Sequence, residues 1–214
     1  SLTYTAGVAK ALTSNTTQIT RTGFTFGGWT TNADGTGTTY TNSQSVTLYS
    51  NVTLYAKWLA GTFAVTFGSN TATGSKLTTN NMPNQSFTAG TPFTLSANVW
   101  YKTGFLFAGW SATNGTSTVI YTDQQQVTLY GATTIYAQWT PVFVVSYNAN
   151  ATAGSFTGTV PASANSVNGA AITVATNSGN LAKSGLTFAG WNTKADGTGT
   201  SYFAGSSFAP TKDT

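Results

Sequence analysis

"GFTFGGWTTNADGTGTTY", residues 23–40, is written again as "GFLFAGWSATNGTSTVIY" over 104–121 and a third time as "GLTFAGWNTKADGTGTSY" over 185–202. The spacing is strict: Trp29, Trp110 and Trp191 fall 81 residues apart (110 − 29 = 191 − 110 = 81). Phe26, Phe107 and Phe188 keep that step, as do Tyr40, Tyr121 and Tyr202, and Trp58 with Trp139. A fixed period of this length marks one small supersecondary unit copied along the chain. The 214 residues therefore divide into units 1–59, 60–140 and 141–214. Only the middle unit holds every element. Unit one starts at "YTAGVAKAL", which aligns with "FTAGTPFTL" (Phe87–Leu95), and has no counterpart of "TFAVTF"; unit three has none of "TTIYAQW". An unpaired strand edge is an association site, so the interrupted repeats predict head-to-tail assembly with other copies, or continuation into adjacent repeats.

Within unit two the segments "TFAVTF" (Thr62–Phe67), "QSFTAGTPFTLS" (Gln85–Ser96), "GFLFAGW" and "TTIYAQW" (Thr133–Trp139) alternate apolar with Thr, Ser or Gln. A period of two is the mark of half-buried strands, so the fold class is mainly β, α+β at most. The best helical candidates are "NSGNLAKSG" (Asn177–Gly185) and single turns after Tyr40 and Tyr121. The repeated aromatics are the expected core anchors, since burying one Phe or Trp is worth about 1.5–3 kcal/mol. Gly27 and Gly28 leave room beside Trp29 for the indole or another backbone. The Asp-Gly of "NADGTG" reads as a tight turn. Trp58, Trp139 and Pro141 sit at the joints, where "WLAGTF" and "WTPVF" leave only three or four linking residues. Such short connections predict a semi-rigid rod of domains.

Composition narrows the function. Only 6% of residues are charged, against roughly 25% in an average soluble domain, and solubility rests on Thr, Ser, Asn and Gly. Cys is absent, so no disulfide frame or thiol chemistry exists. The net charge of +4 comes from eight singly scattered Lys and Arg, not the clustered patch that nucleic acid needs. No apolar run in this segment reaches the ~18 residues of a membrane span. With no His and no Glu, the usual general bases and carboxylate pairs are missing, so no enzyme activity and no cofactor are expected.

The motifs G-[FY]-x-F-x-G-W and T-L-Y-A-x-W, carried by "GFTFGGWTTNADGTGTTY" and "SVTLYSNVTLYAKW" and their copies, resemble the Listeria and Bacteroides repeat family, the B-type repeat of internalin-like bacterial surface proteins. The resemblance covers all three units. It implies small β-grasp-like modules in tandem, extracellular or on the cell surface, serving as spacer or adhesive segments and not as enzymes. Here helix-forming sequence is sparse, and a Ser/Thr/Asn-rich insertion follows the first strand of each unit.

Two features invite ligand readings. Asp34 and Asp196 in "ADGTG" are faintly like a calcium loop, although such a loop needs several carboxylates at alternate positions. Trp100 and Tyr101 have no aromatic counterparts in unit three, where the loop reads "GNLAKSG". An exposed Trp-Tyr pair could stack on a sugar ring, making a carbohydrate-binding module the competing function and a host or environmental glycan the competing partner.

Overall fold

A computed structural model describes residues 3–15, 19–79, 81–116, 118–151 and 155–214. The strands that organise it are β1 (Phe24–Thr30), β2 (Tyr55–Ala60), β3 (Thr62–Gly68), β4 (Gln85–Thr88), β5 (Phe105–Ser111), β6 (Thr133–Val145) and β7 (Ala164–Val167). Short pairings of two or three residues fill the spaces between them, and the described residues contain no helix. "NSGNLAKSG" is a turn followed by isolated bridges, and the segments after Tyr40 and Tyr121 are turns. Their glutamines account for this. In unit one the side chain of Gln44 accepts from the Thr41 amide at 2.8 Å, and in unit two Gln125 does the same for Thr122 at 2.8 Å. Each turn is thereby closed without further helical bonds.

Unit two is built on a mixed sheet in the spatial order β5, β6, β3, β4. β6 runs antiparallel to β5 and parallel to β3, with Thr133 opposite Val65 and Ile135 opposite Phe67. Alternation along β3 turns Val65 and Phe67 inward, where they are 0% and 7% exposed. They pack with Phe87, Leu95, Ile135 and Trp110 in one buried cluster. Trp110 is its centre, fully buried, with ring centroids of Phe67 and Phe107 each 5.0 Å away and Trp100 at 6.1 Å.

The glycine before each repeated tryptophan is explained by the backbone. Gly28, Gly109 and Gly190 have φ of 109°, 139° and 139°, a region L side chains rarely adopt. A Cβ at these positions would stand 2.3, 2.6 and 2.7 Å from the carbonyl oxygens of Tyr40, Tyr121 and Tyr202. The strand bulges there: the register with β2 shifts between Phe26 and Trp29, and that with β6 between Phe107 and Gly109. The extra residue of a bulge re-aims the side chain that follows, so Trp110 can point into the core beside Phe107. Gly109→Ala is expected to destabilise unit two by about 1–3 kcal/mol, seen as a lower melting temperature, whereas Gly115→Ala at an open turn tip, with nothing near its missing Cβ, should cost less.

The second joint is continuous strand, and the first is interrupted only at Gly61. β6 is a single strand of 13 residues that closes unit two and opens unit three, passing through Pro141. Proline has no amide hydrogen to give, and the ladder is arranged around that. The Val142 amide donates to the Gly104 carbonyl of unit two at 2.8 Å, while the Pro141 carbonyl accepts from the Asn168 amide of unit three at 2.7 Å. At the first joint, Gly61 plays both parts, donating to the Gly23 carbonyl at 2.8 Å and accepting from the Ala89 amide at 2.9 Å. Side chains reinforce it: Phe24 of unit one lies 6.4 Å from Tyr130 of unit two, and the Arg21 guanidinium sits 4.1 Å over the Phe24 ring. Lys102 covers Phe105 at 4.3 Å in the equivalent place.

Candidate binding surfaces

The expected aromatic platform is not formed. Trp100 is 4% exposed and packs edge-on against Trp110, while Tyr101 is 52% exposed and lies across Gly74. Consecutive residues of a strand point to opposite faces, and here one face is the core. The residue 81 positions after Trp100 is Leu181, also buried at 7%. Trp100 therefore occupies a core position shared with unit three and filled by a larger side chain in unit two, whereas the unit-one equivalent Ile19 is exposed. Beside Trp100 stands an asparagine that the sequence reading missed. Asn98 donates from its side chain to the Trp100 carbonyl at 2.9 Å and accepts from the Trp100 amide at 3.0 Å. Asn177 holds Leu181 in the same two-way grip, at 2.9 and 2.7 Å. In unit one, Asn15 accepts from the Ile19 amide at 2.9 Å. An Asn four residues before Leu181 and Ile19, but two before Trp100, is a loose signal that only structural superposition makes plain.

Asp34 and Asp196 serve their own turns. The Asp34 carboxylate accepts from the Thr36 hydroxyl at 2.7 Å and the Thr36 amide at 3.0 Å; Asp196 accepts from the Thr198 amide at 2.9 Å and hydroxyl at 2.8 Å. Asp34 is held below the ordinary aspartate pKa mainly by the Thr36 hydroxyl, and Asp196 mainly by the Thr198 amide. Among the described residues no group of three or more His, Cys, Asp or Glu stands together. A depressed folded-state pKa contributes stability that is present above the ordinary value and lost as pH falls through the lowered one. Both carboxylates are therefore expected to titrate below a model aspartate when followed by NMR, and Thr36→Ala or Thr198→Ala should return its partner toward the ordinary value.

The junction aromatics are half-buried. Phe107 sits 5.6 Å from Trp139, whose indole nitrogen donates to the Ser69 carbonyl at 3.1 Å, and Phe26 sits 6.0 Å from Trp58. The Phe-Trp contact recurs in all three units, with Phe26–Trp29 at 5.2 Å and Phe188–Trp191 at 5.1 Å. Trp29 pairs with Tyr40 and Trp191 with Tyr202 across antiparallel ladders, and Trp110 bridges Tyr121.

Units one and three each carry a groove where unit two is filled. One, of about 1060 Å³, lies between Tyr4, Leu12, Trp29, Leu48, Val52 and Leu54. The other, of about 620 Å³, lies between Tyr147, Leu181, Phe188, Trp191 and Phe208. Beside it Thr214 exchanges backbone bonds with the opening strand of unit three, donating to Val144 at 3.0 Å and accepting from Ser146 at 2.7 Å. Thr133, 81 residues earlier, holds the same register opposite Val65. No helix among the described residues is long and apolar enough to cross a membrane.

Comparison with known proteins gives no match among curated proteins and none among solved structures. A family model, the Listeria-Bacteroides repeat domain, matches three successive stretches, residues 3–57, 63–138 and 143–214. With the aromatic motif standing at the same place in each stretch, this chain belongs to the Listeria-Bacteroides repeat family as a tandem array of three repeats.

Proposed function

We propose that the chain is a non-enzymatic, extracellular spacer: a stiff length of adhesin stalk on a bacterial surface. Repeats of this family occur in bacterial surface proteins. The observation that carries the reading is β6, one strand shared by two units through Pro141 with no flexible residue between them. A Gly/Ser linker would let neighbouring domains swing, whereas a shared strand bonded on both sides fixes their angle. Assembly into a filament by exchange between copies would need a free opening strand. The two opening strands, Thr62–Gly68 and the second half of β6, are already bonded within their own units. Giving one up would dismantle a unit in order to complete another.

Removing one repeat tests the spacer reading. Deleting residues 62–141 joins Gly61 to Val142, which then takes the place of Thr62 after Gly61. The expected result in small-angle X-ray scattering is a folded chain whose maximum dimension falls by about a third, because each repeat contacts only its neighbours. An unchanged maximum dimension would mean that the units do not stack end to end.

A further inference from the structure

We infer that unit two is a mechanical clamp, a module that resists tension along the chain by loading one parallel strand ladder in shear. Its use as such rests on the spacer reading, but the device itself lies within residues 62–140.

Where the chain enters and leaves the unit decides this. It enters at Thr62, the first residue of β3, and leaves at Thr140, from which β6 runs on through Pro141 into unit three. These two strands, far apart in sequence, lie side by side and run parallel, with Val65, Thr66, Phe67 and Gly68 opposite Thr133, Thr134, Ile135 and Tyr136. In a parallel pair, the start of one strand and the finish of the other stand at opposite ends of the ladder. Tension along the chain therefore draws β3 and β6 past each other along their own axes, and the evenly spaced bonds of a parallel ladder must fail together. In an antiparallel pair both attachment points would stand at one end, and the same pull would open the bonds one at a time.

The neighbours strengthen the ladder on both sides. In the spatial order β5, β6, β3, β4 neither clamp strand is at an edge. β3 is bonded along its first half to β4, with Thr62 opposite Thr88 and Val65 opposite Gln85. β6 is bonded from Tyr136 onward to β5, with Tyr136 opposite Ser111 and Pro141 opposite Phe105. Two side-chain bonds prolong the contact beyond the end of β3: the Asn70 amide donates to the Ala137 carbonyl at 2.8 Å, and the Trp139 indole to the Ser69 carbonyl at 3.1 Å. Val65, Phe67 and Ile135 are buried from both strands in the cluster around Trp110. Sliding one strand past the other must drag them through a close-packed core.

The test pulls the full chain through handles on introduced Cys residues, which a chain without cysteine allows. One pair, at Thr62 and Thr140, loads the ladder in shear. The other, at Thr66 and Thr134, exposed cross-strand neighbours, loads the same ladder crosswise. At one pulling speed the first pair should rupture at several times the force of the second. It should do so in a single step that frees about 260–280 Å of chain, 140 − 62 = 78 residues at about 3.3–3.6 Å each. The two labelled chains should share one melting temperature, because forced rupture follows the unfolding barrier and not the equilibrium stability. Where a handle at Thr140 lowers that temperature, Ser146, exposed just past β6, takes its place. Equal forces in the two directions would overturn the proposal, as would rupture of the first pair in small successive steps. Failure of the spacer reading in the scattering experiment would leave both forces unchanged, so the two failures are told apart.

Discussion

Trp110→Ala is expected to cost about 3–5 kcal/mol and to unfold unit two. Its side chain is fully buried at the meeting point of Phe67, Trp100 and Phe107. The loss would leave a cavity that the sheet cannot close, because β5 and β6 are held in register by the bulge at Gly109. In a linear array the loss of a middle repeat also removes both of its interfaces. One detail sharpens the expectation: the buried indole nitrogens of Trp29 and Trp110 have no hydrogen-bond partner, while that of Trp191 donates to the Ala175 carbonyl at 2.8 Å. Since a buried donor left unpaired costs about 1–3 kcal/mol, Trp110→Phe should be milder than Trp191→Phe once cavity size is matched. Urea denaturation of the three variants measures this. An unchanged midpoint for Trp110→Ala would show that unit two has no core at this residue.

Trp100→Ala is expected to act on stability by a similar amount, about 3–5 kcal/mol, and Trp100→Leu by much less. Leu181 fills the same position in unit three and is clamped by Asn177 as Trp100 is by Asn98, so the backbone there accepts leucine. A surface platform for sugar rings behaves in the opposite way: alanine and leucine would both abolish binding and both leave the fold intact. Thermal melts of the two variants separate the cases, and equal melting temperatures for Trp100→Ala and the native chain would restore the exposed reading.

The period of 81 made the core legible, because an aromatic kept at Trp29, Trp110 and Trp191 within one chain is kept by packing. The same comparison, carried from Trp100 to Leu181, would have shown a buried site. Attention to aromaticity alone hid it, since the two residues share apolar character and not chemistry. Pro141 read as a linker residue because it stands in the short "WTPVF" connection, and proline has no donor to give to a ladder. The structure passes the ladder on to Val142 on one side and to the proline carbonyl on the other, a division of labour that depends on two units being present and is invisible in either alone. The segments after Tyr40 and Tyr121 failed as helix for a local reason, Gln44 and Gln125 closing their turns by side chain. The grooves follow from tertiary context: Val52–Leu54 has the apolar alternation of a strand, yet without a parallel neighbour it does not join the sheet.

Continuity of the joints is the centre of the account, and it can be measured as a distance. Thr47, Thr128 and Ala209 are exposed and equivalent, one period apart, and a chain without cysteine accepts paired spin labels there through introduced Cys residues. Pulsed dipolar spectroscopy on the Thr47/Thr128 and Thr128/Ala209 pairs should give one narrow distance for each pair, unchanged by viscosity. Broad distributions spreading toward contact would mean that the units hinge at Gly61 and Pro141, and that neither the backbone bonds of Gly61 nor the shared strand through Pro141 fixes the joints.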